Sequence, residues 1–183
     1  MIKKNGLNLV AKMTSLILLF IVIDQFIKIY ISNNLMNKNF NIFGQIIKFQ
    51  PKLNTAYSWL NSLGNFGIGL LPHIIMNIMI LFILFIILNF IIAKKKENKV
   101  INWLFIFLIA GTVCSLIDKL FWGGSLDYIY LKGYFTFDLK DVYISISQIV
   151  LAFTWIFNYK RLRKLDEKIL YSEFKTYLKE KYF

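Results

Sequence analysis

Cysteine, histidine and acidic residues are all scarce in this 183-residue chain: one, one and ten. The lone cysteine, Cys114, excludes an internal disulfide. Together with the lone histidine, His73, it is too small a donor set for a zinc or iron–sulfur site, so neither metal nor cofactor is expected. Charge is also scarce, at 17% of residues, where soluble domains carry about a quarter. Hydrophobic residues reach 57% and aromatic ones alone 17%. A soluble fold of this size has too little interior to hide so much apolar surface. The composition is that of a membrane protein. The formal net charge of +12 would suggest nucleic acid as the partner of a soluble chain. Here the lysines lie beside apolar runs, so the expected partner is anionic lipid headgroups and not nucleic acid.

A hydrocarbon core about 30 Å thick takes roughly 20 residues of helix to cross. Four segments meet or approach that length, about 9–30, 70–93, 100–117 and 142–159. The last two are short, and are expected to tilt little or to thin the bilayer around them. Lys3, Lys4 and Lys12 precede the first span, Lys94, Lys95, Lys96 and Lys99 join the second to the third, and eight further cations follow the fourth. Fifteen of the 22 lysines and arginines thus fall on one side, which places both termini in the cytoplasm. No small-residue cleavage site follows the first span, and Asp24 and Lys28 interrupt its end, so it reads as a retained helix and not a signal peptide. There is no internal repeat and no low-complexity linker. Residues 1–160 then form the transmembrane domain and 161–183 a basic cytoplasmic tail. In the tail Leu162, Leu165, Ile169 and Leu170 recur at helical spacing among charges, the pattern of a surface helix. The outer segments are about 31–69 and 118–141. Within the first, residues 41–49 alternate as short strands or a membrane-lying hairpin would. The expected fold is all-α, four transmembrane helices with a small extracytoplasmic β-like cradle.

The acids are unevenly placed. Four (Asp166, Glu167, Glu173, Glu180) belong to the tail and Glu97 to the inner loop, leaving Asp24, Asp118, Asp127, Asp138 and Asp141. With both termini inside, Asp24, Asp118 and Asp141 all approach the outer interface, and Asp127 and Asp138 lie in the loop between the last two spans. Carboxylates near hydrocarbon are costly and persist when paired or when needed. Two held close cannot both ionise comfortably, which leaves one base to take a proton from water and one acid to protonate a departing amine. Asp118 and Asp141 fit that use. Plainer readings stand beside it. Asp141 opens the fourth span, and Asp138-Leu-Lys-Asp141 has capping-box spacing, which on spacing alone is the stronger reading. Asp118 ends the third span, where a helix disfavours negative charge and Lys119 lies next door. Asp24 and Lys28 are four apart, where an ion pair is expected anyway. Trp59, Trp103, Trp122 and Trp155 suit interfacial belts, His73 an interfacial polar position, and Cys114 packing.

These residues resemble the motifs of lipoprotein signal peptidase, signal peptidase II, a four-helix membrane aspartic protease, over most of the first 160 residues. Asp24-Gln-Phe-Ile-Lys28 is similar to the family's D-Q-x-x-K. Gly111-Thr-Val-Cys-Ser-Leu-Ile-Asp118-Lys119 resembles G-x-x-x-N-x-x-D-R, which carries one catalytic aspartate. Gly123-Gly-Ser-Leu-Asp127-Tyr-Ile resembles G-x-V-x-D-F-I. Phe137-Asp-Leu-Lys-Asp141 resembles F-N-x-A-D, which carries the other. The departures are Ser115 for the family's Asn, Lys119 for its Arg, and Asp138 and Lys140 for the Asn and Ala of the last motif, with Lys140 set to offset the added charge. Asn54-Thr-Ala-Tyr-Ser58 keeps little of N-x-G-x-A-F.

The resemblance implies an endopeptidase that cuts signal peptides from prolipoproteins just before a diacylglyceryl-cysteine, at the outer face of the bacterial cytoplasmic membrane. Asp118 and Asp141 would be catalytic. Asp24, Lys28, Asn54, Ser115, Lys119, Asp127 and Asp138 would bind substrate or support the pair, without metal or cofactor. The expected partners are lipidated prolipoproteins and membrane lipids, and the expected state is a monomer. The alternatives are a catalytically silent relative that binds lipidated peptides or a membrane partner, and a small ion or proton carrier. The carrier lacks a polar route, since the inner halves of the spans hold little beyond Asn89 and Asn102.

Overall fold

Backbone amides inside hydrocarbon have no partner but one another, and a long apolar run satisfies them as a helix. A computed structural model of the chain describes residues 2–94, 98–162 and 167–182. The loop residues Lys95, Lys96 and Glu97 and the tail residues Arg163, Lys164, Leu165 and Asp166 lie outside them. Among the described residues four helices are long and apolar enough to cross a membrane: α1 (Ile2–Asn34), α3 (Leu70–Ala93), α4 (Lys99–Ile117) and α5 (Leu139–Leu162). Their outward faces carry Val22 and Phe26, Phe82 and Phe85, and Phe153 and Phe157, all exposed to what would be lipid. α4 packs against α1, α3 and α5. A short helix, α2 (Trp59–Gly64), leads into α3, and α6 (Glu167–Tyr182) follows α5.

The third span is longer than its apolar run. That run stops at Ile117, yet the helix continues through a π-helical turn, Asp118–Trp122, and closes at Gly123 with φ +64°. The continuation carries Asp118 and Lys119 inward, both buried, so polarity at this point marks a buried site and not a helix end.

The two segments on that side pair into one antiparallel sheet, in the order β1 (Phe40–Phe43), β2 (Ile47–Asn54), β3 (Ser125–Leu131), β4 (Thr136–Phe137). The hairpin expected over 41–49 is β1–β2. Its partner β3 is not marked by alternation, because residues 125–128 are all buried. Pro51, which has no amide to give, falls where the β2–β3 register shifts between Phe49 and Lys52. The sheet covers a cluster of Ile31, Phe49, Leu126 and Tyr128, while a second cluster of Met13, Leu84, Phe105 and Ile106 fills the bundle further along. Two charged residues of α1, Asp24 and Lys28, lie along the helix between these two apolar layers.

At the other end α6 returns to α3. Phe90 meets Phe174 and Tyr177 edge-on at 5.2 and 5.5 Å, and the Lys181 ammonium donates to Asn89. The tail packs with Phe174 and Tyr177, not with Ile169 and Leu170, which remain exposed.

Gly111 sets how closely α4 and α5 approach: a Cβ there would lie 2.6 Å from Ile144 and 3.2 Å from the Lys140 carbonyl oxygen. Gly111→Ala is expected to cost about 1–3 kcal/mol through overpacking, read as a lowered unfolding midpoint in detergent. Gly69→Ala, whose added methyl meets nothing within 4 Å, is expected to leave that midpoint nearly unchanged.

Candidate active site

Lys28 stands at the junction of three helices. Its Nζ lies 2.9 Å from Asp24 on its own helix, 2.7 Å from Asp118 at the end of α4 and 2.7 Å from Asp138 before α5, with all four side chains fully buried. The pair expected between Asp24 and Lys28 is therefore one arm of a larger centre, in which three ammonium protons meet three carboxylates. Asp24 also accepts from the Lys140 backbone amide at 3.1 Å, an acceptor at the N-terminus of α5.

Lys140 is a second ammonium at the same level. Its Nζ lies 2.6 Å from Asp138, 3.4 Å from Asp118, 3.6 Å from Asp141 and 3.7 Å from Asp127. Asp127, Asp138 and Asp141 bring oxygens within 4.8 Å of one another, spacing suited to a cation. The cation lying against all three is the Lys140 ammonium. Ser125 on β3 completes the centre. Its hydroxyl lies 2.8 Å from Asp127, 3.1 Å from Asp118 and 3.3 Å from Asp138, and it accepts from Lys140.

Asp118 and Asp141 meet across Lys140, with unequal surroundings. Asp118 is fully buried and also accepts from Gln25, which in turn accepts from Trp122. The Asp141 side chain is 40% exposed. One Asp141 oxygen accepts from the Asp138 amide at 3.2 Å while Asp138 accepts from the Asp141 amide at 3.2 Å, the reciprocal bonds of a capping box.

The remaining expected residues divide. Asn54, at the end of β2, donates to Asp127 at 2.9 Å and joins the cluster from the sheet. Ser115 and Lys119 face each other instead: the Lys119 ammonium donates to the Ser115 hydroxyl at 2.7 Å, and Asn77 of α3 donates to the same oxygen. His73 is 3% exposed, held between the Gly69 carbonyl at 2.8 Å and the Ser58 hydroxyl at 3.2 Å. Trp122 joins the network through its bond to Gln25. Three residues of the centre, Gln25, Ser125 and Lys140, are absent from the expected site. Each lies inside a quoted motif, so position was the available signal.

Outside the spans, the carboxyls divide by their counter-charge. Burial drives the Asp127 pKa up, opposed in part by Lys140. Burial acts the same way on Asp138, but Lys140 and Lys28 outweigh it and hold that carboxyl below its usual value. Asp138 is therefore a fixed negative charge between two lysines.

The family model for signal peptidase II matches residues 16–157. A lipoprotein signal peptidase of Rickettsia canadensis is 32% identical over 168 residues, covering 86% of this chain and 79% of that protein. One from Rickettsia bellii is 29% identical, with 86% and 80% covered. Among solved structures, a bacterial membrane enzyme determined by the in meso method at 2.3 Å superposes with a TM-score of 0.70. It is 17% identical, with 85% of this chain and 94% of that one covered.

Lys28→Met keeps most of the apolar stem of the side chain but leaves three buried carboxylates short of a counter-ion. It is expected to destabilise by about 3–5 kcal/mol, measured by thermal unfolding in detergent against wild type.

Proposed function

The chain belongs to the signal peptidase II family, and we propose that it removes signal peptides from prolipoproteins by activating water between Asp118 and Asp141. The reading rests on one observation: carboxylates from the ends of two different helices flank a single position, 3.4 and 3.6 Å from Lys140 Nζ. One carboxylate takes a proton from water as the water oxygen attacks the scissile carbonyl carbon. The other carboxyl gives its proton to the departing nitrogen, and the pair is ready again once one proton is shared. Roles belong to the pair, because closely coupled carboxyls titrate as a unit. Asp141, with its open side, is the member that approaching substrate meets first.

The substrate class is a prolipoprotein whose cysteine carries a diacylglyceryl group, cut just before that cysteine. Exposed Phe40, Ile42 and Phe43 on the sheet, with Phe66 and Leu71 beyond α2, offer apolar surface to acyl chains. The excess of cations at the opposite ends of the helices supports termini in the cytoplasm and the Asp118–Asp141 pair at the outer face.

The test is cleavage of a diacylglyceryl-modified prolipoprotein by the purified protein in detergent. Asp118→Asn and Asp141→Asn are each expected to lower kcat by about 10²–10⁴-fold, with unfolding profiles showing that both variants are folded. A folded wild type that leaves correctly lipidated substrate uncut would overturn the protease reading.

A further inference from the structure

Lys140 creates a problem for the chemistry just described, because its ammonium lies at the border of the position that the attacking water has to take. It is buried, at 6% side-chain exposure, and within 3.6 Å of both carboxylates. An ammonium on a flexible four-carbon arm moves to the strongest negative charge in reach. Here that charge is Asp138, at 2.6 Å, while Asp118 and Asp141 stand almost 1 Å further off. Asp138 itself is fixed: Lys28 binds the same oxygen at 2.7 Å, and its other oxygen receives the Asp141 amide. The Ser125 hydroxyl, which accepts from Lys140, is a second tether on the same side. Asp138 and Lys140 also depart together from the F-N-x-A-D pattern, one adding a negative and the other a positive charge.

We propose that Asp138 is a positioning residue that keeps the Lys140 ammonium from closing onto the Asp118–Asp141 pair, from which it stands 3.4 and 3.6 Å away, and that Lys140 released from it becomes an internal inhibitor. This rests on the protease reading above. Around Lys140 the charged groups are Asp118 and Lys119 from the end of α4, Asp127 from β3, Asp138 and Asp141 at the start of α5, and Lys28 from α1. With Asp138 neutral, Lys28 still occupies Asp118 on both of its oxygens. Lys140 then closes onto Asp118 and Asp141 at hydrogen-bond distance, neutralising the base and excluding the water. The loss falls on turnover and not on substrate binding, because the groups affected touch the reacting atoms and not the lipid.

The experiment compares full-length wild type, Asp138→Asn, Lys140→Ala and the double variant on the lipidated prolipoprotein. Asp138→Asn is expected to lower kcat by about 10²-fold or more, with KM little changed, and adding Lys140→Ala to recover most of that loss. Ser125→Ala, which leaves every charge in place, is expected to show a weaker loss that Lys140→Ala also relieves. Wild-type turnover in Asp138→Asn, or a double variant as slow as the single, would overturn the proposal. Thermal unfolding of the same four proteins reads the pair without substrate: Asp138→Asn lowers the midpoint and Lys140→Ala in the same chain restores it. Independent, additive effects would overturn the proposal even if activity followed the expected pattern. Strong coupling in a wild type that cuts nothing would remove the protease reading and leave the Asp138–Lys140 lock standing.

Discussion

The buried Lys28 ammonium is the constraint on which the rest of the structure depends. Moving one charge into a low-dielectric interior costs several kcal/mol, and the cost is offset only when every donor finds an ionised partner with good geometry. Lys28 finds three, from α1, the end of α4 and the start of α5. These helices have no hydrophobic drive to associate inside lipid, since their surroundings are as apolar as they are. The ammonium supplies a directional reason for three helix ends to meet at one level. The sheet then closes over them, and its strand β3 contributes Ser125 and Asp127 to the same network.

The charges are arranged so that each lysine is flanked by carboxylates and Asp138 is shared by both lysines. Such a lattice has a consequence for substitution. Exchanging a neutral pair for Asp138 and Lys140 keeps the net charge of the centre, whereas changing either alone leaves an uncompensated charge in a dry interior. The flexible ammonium also differs from a neutral side chain in having somewhere else to go, which is why its position relative to Asp118 and Asp141 matters more than its presence.

The sequence made the spans legible because membrane thickness imposes one length and one polarity on every helix, whatever its neighbours. It made the level of the acids legible for the same reason: Asp24, Asp118 and Asp141 are counted from the ends of those spans. Pairing across the fold was less legible. Lys28 was readable only against Asp24, four residues away, since its bonds to Asp118 and Asp138 join residues that no helical period relates. β3 escaped because its first four residues are buried on both faces, and burial on both faces erases alternation. Lys119 beside Asp118 invited a neutralising role, yet the π-helical turn directs it to Ser115. That turn has no signature in composition.

Asp141 shows why a structural and a chemical reading of one residue need not compete. On spacing, a capping box accounts for Asp141 fully, and the reciprocal bonds between Asp138 and Asp141 are both present. The cap uses one oxygen only. The other oxygen points toward Lys140 at 3.6 Å, and the side chain keeps an open side. A carboxylate meant to act on water has to be held within a narrow range of orientations, and a group locked by backbone hydrogen bonds is so held before any substrate arrives. The helix N-terminus fixes the rotamer and favours the negative charge. The same box places Lys140 in the first turn, between its two ends. The cap that orients Asp141 is thus also the frame in which Asp138 restrains the lysine beside it, and fold and proposed chemistry share one set of bonds.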